Sequence, residues 1–371
     1  MHQRPRVLLL IPHLGGGGAE RVTALLTRGL SAQKYEVHLG LIVESVGATE
    51  LIPDSVTIHW LGVRRVRSAA LPLLRLVWEL EPDLILSGMA HLNFLVLLLR
   101  PFFPRKTRVV VRQNATVSGE LCSGRVPAYT RFLYQILYPG ADRIVCQTDA
   151  MAADLAVQSG IVEAQLEVLP NPVDADAIRA PRPDFAEHWS GSGPNLLAVG
   201  RLSREKGFDL LLEAFASLRL KYRAAQLYVL GDGPELANLE SLRRDLQVET
   251  SVRFAGYVSR PETFFPGATL FVLPSRQEGL PNALLEAAMG GLGIVALPCS
   301  GGVVDLLRGR RGAWVASDVS SHGLTNALLS ALHGIRPGER FPHPWVEHFR
   351  MDRAILDYER LIDETLQERA Q

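Results

Sequence analysis

Residues 269–291 read TLFVLPSRQEGLPNALLEAAMGG: a short apolar run, a loop rich in proline and glycine, and a mostly apolar stretch closed by two glycines. The first part has the composition of a buried strand and the last part has helical periodicity. Pro281 suits a first helical turn and Gly290 with Gly291 supplies a stop, which predicts a helix from about Leu280 to Met289. On that helix Leu280, Ala283, Leu284, Ala287 and Ala288 share one broad apolar face, so only a narrow arc with Asn282 and Glu286 is polar. A carboxylate on so apolar a helix is costly unless donors meet it. Glu278 lies before the helix, at the carboxyl end of the strand, which is the edge where open α/β sheets bind ligands. Taken singly, Glu286 is better explained as a solvated side chain, and Glu278 as an acid that favours the helix dipole, so the pair must be judged with its neighbours.

The 371 residues are too many for one core of ordinary size, so two domains are expected. Lys+Arg and Asp+Glu both number 39, which argues against a general nucleic-acid binder. The balance is uneven, because Trp60 to Gly140 holds eleven Lys/Arg against Glu79, Glu81, Asp83 and Glu120. Cys122, Cys146 and Cys299 form no C-x-x-C pair, which counts against a disulfide framework or a zinc site and fits a reducing cytoplasm. The basic start MHQRPRVLLLIPHL reads as a first β-strand and not as a signal segment, and LNFLVLLL at 92–99 is too short to span a bilayer.

Working outward, the first half alternates apolar runs with helical patterns: RVLLLIP, YEVHLGLIV, DLILSG, RVVVRQ, RIVCQT and LEVLP are strands, and AERVTALLTRGL and LPLLRLVWEL lie between them. The second half starts again with NLLAVGRL, AQLYVLGD, SVRFAGYV, TLFVLPS, GIVALP and AWVAS. This alternation marks parallel sheets with covering helices. The segment at 171–194 is rich in Pro, Asp, Gly and Ser and divides the halves. The expectation is an α/β chain of two Rossmann-like domains facing a cleft, 1–172 and 173–350, with the amphipathic tail 351–371 crossing back onto the first.

IPHLGGGGAERV follows the first strand and opens a helix, as a phosphate-binding loop must. Glu44 even falls where a dinucleotide enzyme keeps its ribose-binding acid, but Arg21 or Val22 stands at the third glycine of that fingerprint, which counts against NAD. Further tight strand ends are VGRLSREKG with Arg201 and Lys206, LGDGPE with Gly231 and Gly233, and CSGGVVDLL with Ser300, Gly301 and Gly302. Two cations beside a helix start can neutralise a diphosphate without a metal. Singly, each is explained as a solvated turn; their repetition at successive strand ends favours a ligand.

At these residues the chain resembles the retaining, nucleotide-sugar-dependent glycosyltransferases of GT-B fold, family four, also called group one. The resemblance rests on GGGAER, LPNPVD, VGRLSREKG, LGDGPE, AGYV and above all the E-x7-E spacing of Glu278 and Glu286, and it covers nearly the whole chain. It departs at Pro172, where the family commonly has glycine. The resemblance implies that Arg201 and Lys206 hold the donor diphosphate and that Glu278 contacts the donor sugar. It further implies that the Gly279–Leu280 backbone approaches that sugar, with Pro281 and Asn282 following, and that Glu286 accepts the ribose hydroxyls. Gly256, Tyr257 and Val258 would lie near the base, with Gly231 and the loop glycines Gly16, Gly17 and Gly18 lining the donor site. No cofactor or metal is expected.

His91 is the candidate for facing the reacting sugar, at the end of a first-domain strand, although a core histidine or a helix cap explains it equally; Arg112 and Asn114, after RVVV, are weaker acceptor-side candidates, for which a polar loop following a strand is the slightly better explanation. A nucleotide-sugar epimerase of the same fold and a non-catalytic partner subunit are the competing functions; a subunit of that kind is expected to lose Lys206 or Glu278. A glycoside hydrolase would also need two carboxylates, but would leave the phosphate-type loops without a purpose. Arg64, Arg65, Arg67 and Arg75 beside LPLLRLVWEL, and Arg100, Arg105, Lys106 and Arg108 around PFFP, interleave basic and apolar side chains. Such a surface suits the anionic cytoplasmic leaflet and a polyprenyl-diphosphate-linked acceptor.

Overall fold

A computed structural model describes the chain apart from residues 1–3, 16, 44–51, 123–126, 128, 181–188, 190–192, 300–301, 337 and 369–371. The chain divides into two compact units, Met1–Pro172 with Met351–Gln371, and Val173–Arg350.

The first unit is a seven-stranded parallel sheet of β1 (Arg6–Ile11), β2 (Glu36–Leu41), β3 (Thr57–Trp60), β4 (Leu84–Ser87), β5 (Arg108–Arg112), β6 (Arg143–Cys146) and β7 (Leu166–Val168). The strand order is β3-β2-β1-β4-β5-β6-β7. The chain therefore reverses direction across the sheet between β1 and β4, where Leu9 stands beside Leu86. The runs of Val, Leu and Ile in β1 and β4 are buried, as both faces of a parallel sheet are covered. β3 was not expected from the sequence: TIHW is short and its side chains are exposed or half-buried, as suits an edge strand.

One face of this sheet carries α1 (Gly18–Gly29). The other carries α2 (Ala70–Leu80), α3 (Ala90–Leu99), α4 (Val117–Cys122), α5 (Thr130–Leu137) and α6 (Asp149–Ser159), through a core that includes Leu73, Val96, Val117, Tyr134 and Leu155. LNFLVLLL is the body of α3. Among the described residues no helix is long and apolar enough to cross a membrane.

The second unit begins with α7 (Ala175–Arg179) and holds a six-stranded parallel sheet of β8 (Asn195–Val199), β9 (Gln226–Leu230), β10 (Val252–Phe254), β11 (Leu270–Leu273), β12 (Gly293–Ala296) and β13 (Ala313–Val315). Its order, β10-β9-β8-β11-β12-β13, repeats the first pattern, and the reversal falls between β8 and β11, where Phe271 pairs with Leu197. α8 (Phe208–Arg219), α9 (Leu236–Asp245) and α12 (Ser321–Gly334) cover one face; α10 (Asn282–Met289) and α11 (Val303–Leu307) cover the other with α7. The last helix, α13 (Met351–Gln367), belongs to the first unit and buries Ile355, Tyr358, Leu361 and Ile362 in the core shared with α1.

Candidate functional site

In an open α/β sheet the loops at the reversal of strand order leave a crevice at the carboxyl edge. In the second unit those loops follow β8 and β11, and they are tied together. Lys206 Nζ donates to both carboxylate oxygens of Glu278, at 2.7 and 2.9 Å, and Ser275 Oγ donates to Oε1 at 2.6 Å. The Glu278 side chain is 8% exposed and that of Lys206 26%, so the carboxylate is the more deeply buried partner. Beside the pair, Arg276 forks onto Asp209 with contacts of 2.7 and 2.6 Å, and its backbone N–H donates to the Glu205 carbonyl at 2.7 Å. Burial raises the Asp209 carboxyl, but Arg276 outweighs burial and holds it below the usual carboxylate value. The two loops are thus one clamped body. Arg201 sits on the β8 loop, exposed and without an ion pair among the described residues.

Glycines bring the backbone in where side chains would collide. Gly231 has φ 143°, and a Cβ there would lie 1.9 Å from the Gly200 carbonyl oxygen. Its N–H donates to Gly256 O at 2.7 Å, so the β9 and β10 loops meet. Tyr257 beyond that contact is exposed and Val258 half-buried.

α10 begins two residues later than its sequence predicts. Pro281 is extended and serves as N-cap, leaving Leu280 buried in the core, and Asn282 is the first helical residue. The stop comes from Gly291, at φ 74°, while Gly290 caps with a negative φ. Glu286 is 6% exposed on this helix, so it is not a solvated side chain, and it is not left without a polar interaction. Gly279 is buried before it.

Sequence reasoning missed two neighbours of the pair. Ser275 is one. Cys299, at the end of the β12 loop, is the other: burial pushes its thiol up to about 12, the Glu278 charge adds to the rise and Lys206 opposes it. Its sequence signal was its place before the Ser-Gly-Gly turn, of which Gly302 caps α11 at φ 94° and Ser300 and Gly301 lie outside the described residues.

In the first unit the carboxyl edge beside β1 carries the glycine loop. Gly17 caps α1 and Gly18 opens it, while Gly16 and Glu44 lie outside the described residues. The loop folds on its own side chains: Gly15 N–H donates to His13 Nδ1 at 3.0 Å, which lies 3.6 Å from Oε1 of the buried Glu20. His91 requires a correction. It does not end a strand but occupies the first turn of α3, after β4, because Met89 is extended and starts the helix there. Its ring reaches solvent, yet surrounding protein displaces enough water to lower its pKa, and repulsion from His13 lowers it further.

Arg112 is buried and not part of a solvated loop. It is 2% exposed and its guanidinium is held by protein: Nε donates to Tyr358 Oη of α13 at 3.1 Å, one Nη to Asn114 Oδ1 at 2.6 Å and the other to Asn171 Oδ1. Asn114 in turn donates to the Gly88 carbonyl and accepts from Gln147 Nε2 at 3.0 Å. Asn114 thus ties the carboxyl ends of β4 and β6 to that of β5, and the Arg112 guanidinium ties β5 to Asn171 and α13. Among the described residues no group of three or more His, Cys, Asp or Glu could hold a metal ion.

Two doubly wound sheets in one chain, with a basic and acidic pair at the reversal point of the second, are the architecture of GT-B glycosyltransferases. More narrowly, the chain belongs to the family-four, group-one glycosyltransferases: the family described as Glycosyltransferase Family 4 matches residues 16–177, and Glycosyl transferases group 1 matches 193–333. It is 29% identical over 310 residues to the N-acetylgalactosamine-N,N'-diacetylbacillosaminyl-diphospho-undecaprenol 4-alpha-N-acetylgalactosaminyltransferase of Campylobacter jejuni, a match covering 80% of this chain and 82% of the relative. It is 23% identical over 314 residues to the amylovoran biosynthesis glycosyltransferase of Erwinia amylovora, covering 82% and 84%. Among solved structures, Anabaena HepE in complex with UDP and glucose shares the fold with a TM-score of 0.84 at 16% identity, over 97% of this chain and 100% of that one.

Proposed function

We propose that the enzyme transfers a sugar from a nucleotide-sugar donor, with retention of anomeric configuration, to a polyprenyl-diphosphate-linked glycan at the cytoplasmic face of a membrane. The observation that carries the donor half is the Lys206–Glu278 pair at the β8/β11 reversal. Lys206 and Arg201 take the donor diphosphate, and Glu278 takes a sugar hydroxyl. The backbone of Gly279 and Leu280 approaches the sugar, Glu286 accepts the ribose hydroxyls, and Gly256 to Val258 meet the base.

In the transfer the bond from the anomeric carbon to the diphosphate oxygen breaks, and the acceptor oxygen bonds to that carbon on the same face. The acceptor's proton passes to the departing phosphate oxygen. Lys206 and Arg201 stabilise the negative charge that gathers there, which is the main electrostatic task. Glu278, held by Lys206 and Ser275, binds and does not act as nucleophile. His91, in the first turn of α3, is kept as the candidate for contact with the reacting sugar.

The acceptor half is supported by two relatives, one a diphospho-undecaprenol-dependent N-acetylgalactosaminyltransferase and one a glycosyltransferase of amylovoran biosynthesis. The test is release of nucleoside diphosphate from a panel of nucleotide sugars, with an undecaprenyl-diphosphate-linked sugar as acceptor and EDTA present. Product that keeps the donor's anomeric configuration supports the proposal. Release without transfer, epimer formation, or a strict Mg²⁺ requirement would contradict it.

A further inference from the structure

We infer that the first unit carries a second ligand site, for the phosphate of an anionic phospholipid, in a recess of about 890 Å³ between the ends of α3 and α5. The recess lies where β5 and β6 begin, at Arg108 and Arg143. It is therefore at the opposite edge of the sheet from His13 and His91, and it is no part of the transfer chemistry. It rests on the proposal that the enzyme works at a membrane, and it names the lipid contact.

Charge is the first argument. Arg100, Arg105, Arg108 and Arg143 line the recess against two carboxylates, Asp142 and Glu368. Asp142 is saturated: Arg100 lies 2.7 Å from Oδ2 and Arg108 2.9 Å from Oδ1, and the Val109 N–H donates to Oδ2 at 2.7 Å. Glu368 is taken by Arg143. Among the described residues the exposed Arg105 has no ion pair, and the buried Nε donors of Arg108 and Arg143 have no acceptor. An excess of two positive charges, already braced by carboxylates, matches a phosphodiester.

The surroundings decide for a lipid over a free anion. Leu98 and Ile136 at the recess are exposed, and Phe102, 62% exposed, stands beside them with its carbonyl accepting from Trp78 Nε1 at 3.0 Å. Tyr129 at the N-cap of α5 and Phe132 and Ile136 on it form one exposed stripe, and Leu71 and Trp78 form another on α2. Thus α2, α3 and α5, which share one face of the sheet, all turn large apolar side chains away from it. Arg65, Arg67, Arg75 and Arg131 lie exposed among them without ion pairs among the described residues. A broad apolar surface studded with unpaired cations suits an anionic headgroup layer. The recess would hold one phosphate while Leu98, Phe102 and Ile136 enter the acyl boundary.

The experiment compares sedimentation with phosphatidylcholine vesicles with and without phosphatidylglycerol, for wild type, Arg105→Ser/Arg143→Gln, Leu98→Asn/Ile136→Asn, and Arg64→Ser/Arg65→Ser/Arg67→Ser. Melting temperature and donor turnover with a water-soluble acceptor analogue serve as controls. The arginine pair should lose at least about fivefold in affinity for anionic vesicles and little for neutral ones, and the apolar pair should lose both. A short-chain phosphatidylglycerol should raise the melting temperature of wild type and not of the arginine pair, whereas inorganic phosphate should not. A stabilising effect of inorganic phosphate equal to that of the lipid would overturn the lipid assignment. Normal vesicle binding by a folded arginine pair, with loss only in the Arg64 triple variant, would sink the recess and keep the membrane proposal. Absence of wild-type sedimentation would sink both, leaving the donor assignment untouched.

Discussion

Lys206 Nζ lies 2.7 Å from Glu278 Oε1 and 2.9 Å from Oε2, joining two loops that are 72 residues apart in sequence. The two partners are unequally buried, so their removal has unequal consequences. Lys206→Ala strands a nearly buried carboxylate with Ser275 as its remaining side-chain donor, whereas Glu278→Ala leaves an ammonium that reaches water. A stranded buried group costs about 1–3 kcal/mol. Lys206→Ala should therefore lower Tm by about 2–6 °C and Glu278→Ala by less, checked by thermal unfolding. Equal shifts would mean that the pair is solvated as a unit.

The contact of Gly231 with the Gly200 carbonyl makes a second comparison. A methyl at Gly231 has nowhere to go, whereas a methyl at Gly256, also at positive φ, meets open space. Gly256→Ala should cost about 1–2 kcal/mol for its left-handed backbone alone. Gly231→Ala should cost clearly more and lower donor affinity, because it separates the β8 and β9 loops. Urea unfolding of both variants checks the order.

Glu286→Ala should raise the donor KM more than it lowers kcat, since a ribose contact serves ground state and transition state alike. Steady-state kinetics over a donor range measure this. An unchanged donor KM would remove Glu286 from the ribose.

Burial lowers the pKa of His38, His59, His91 and His343 in the folded protein. Above about pH 6.5 folded and unfolded states are both neutral at these sites; below it the unfolded chain takes up protons that the folded one refuses. Stability should thus fall as pH drops from 7 to 5. Glu120, whose pKa burial raises, acts against this trend but is one group against four. His38 and His59 adjoin at 3.1 Å between ring nitrogens, so His38→Asn/His59→Asn should flatten the pH dependence of Tm.

The two sheets were legible because each strand is a short apolar run followed by a glycine- or proline-marked turn. Lys206 and Glu278 were legible as strand-end residues, but their bond was not: it depends on β8 and β11 being neighbours, which follows from strand order and not from any local pattern. Arg112 misled because a polar residue after a strand reads as a surface one. Its burial depends on Asn171 and Tyr358, 59 and 246 residues away, which no window along the chain brings together. β3 escaped because an edge strand need not be apolar, and His91 falls in a helix because α3 starts at Ala90, directly after the extended Met89.

In the proposed reaction the Lys206–Glu278 pair holds the donor at the transition state. Single-turnover transfer from a saturating nucleotide-sugar donor by purified Lys206→Ala and Glu278→Ala, each assayed below its own Tm, measures that role. Both rates should fall at least about a hundredfold, the order expected for losing one preorganised contact. Near-normal rates in both variants would contradict that role.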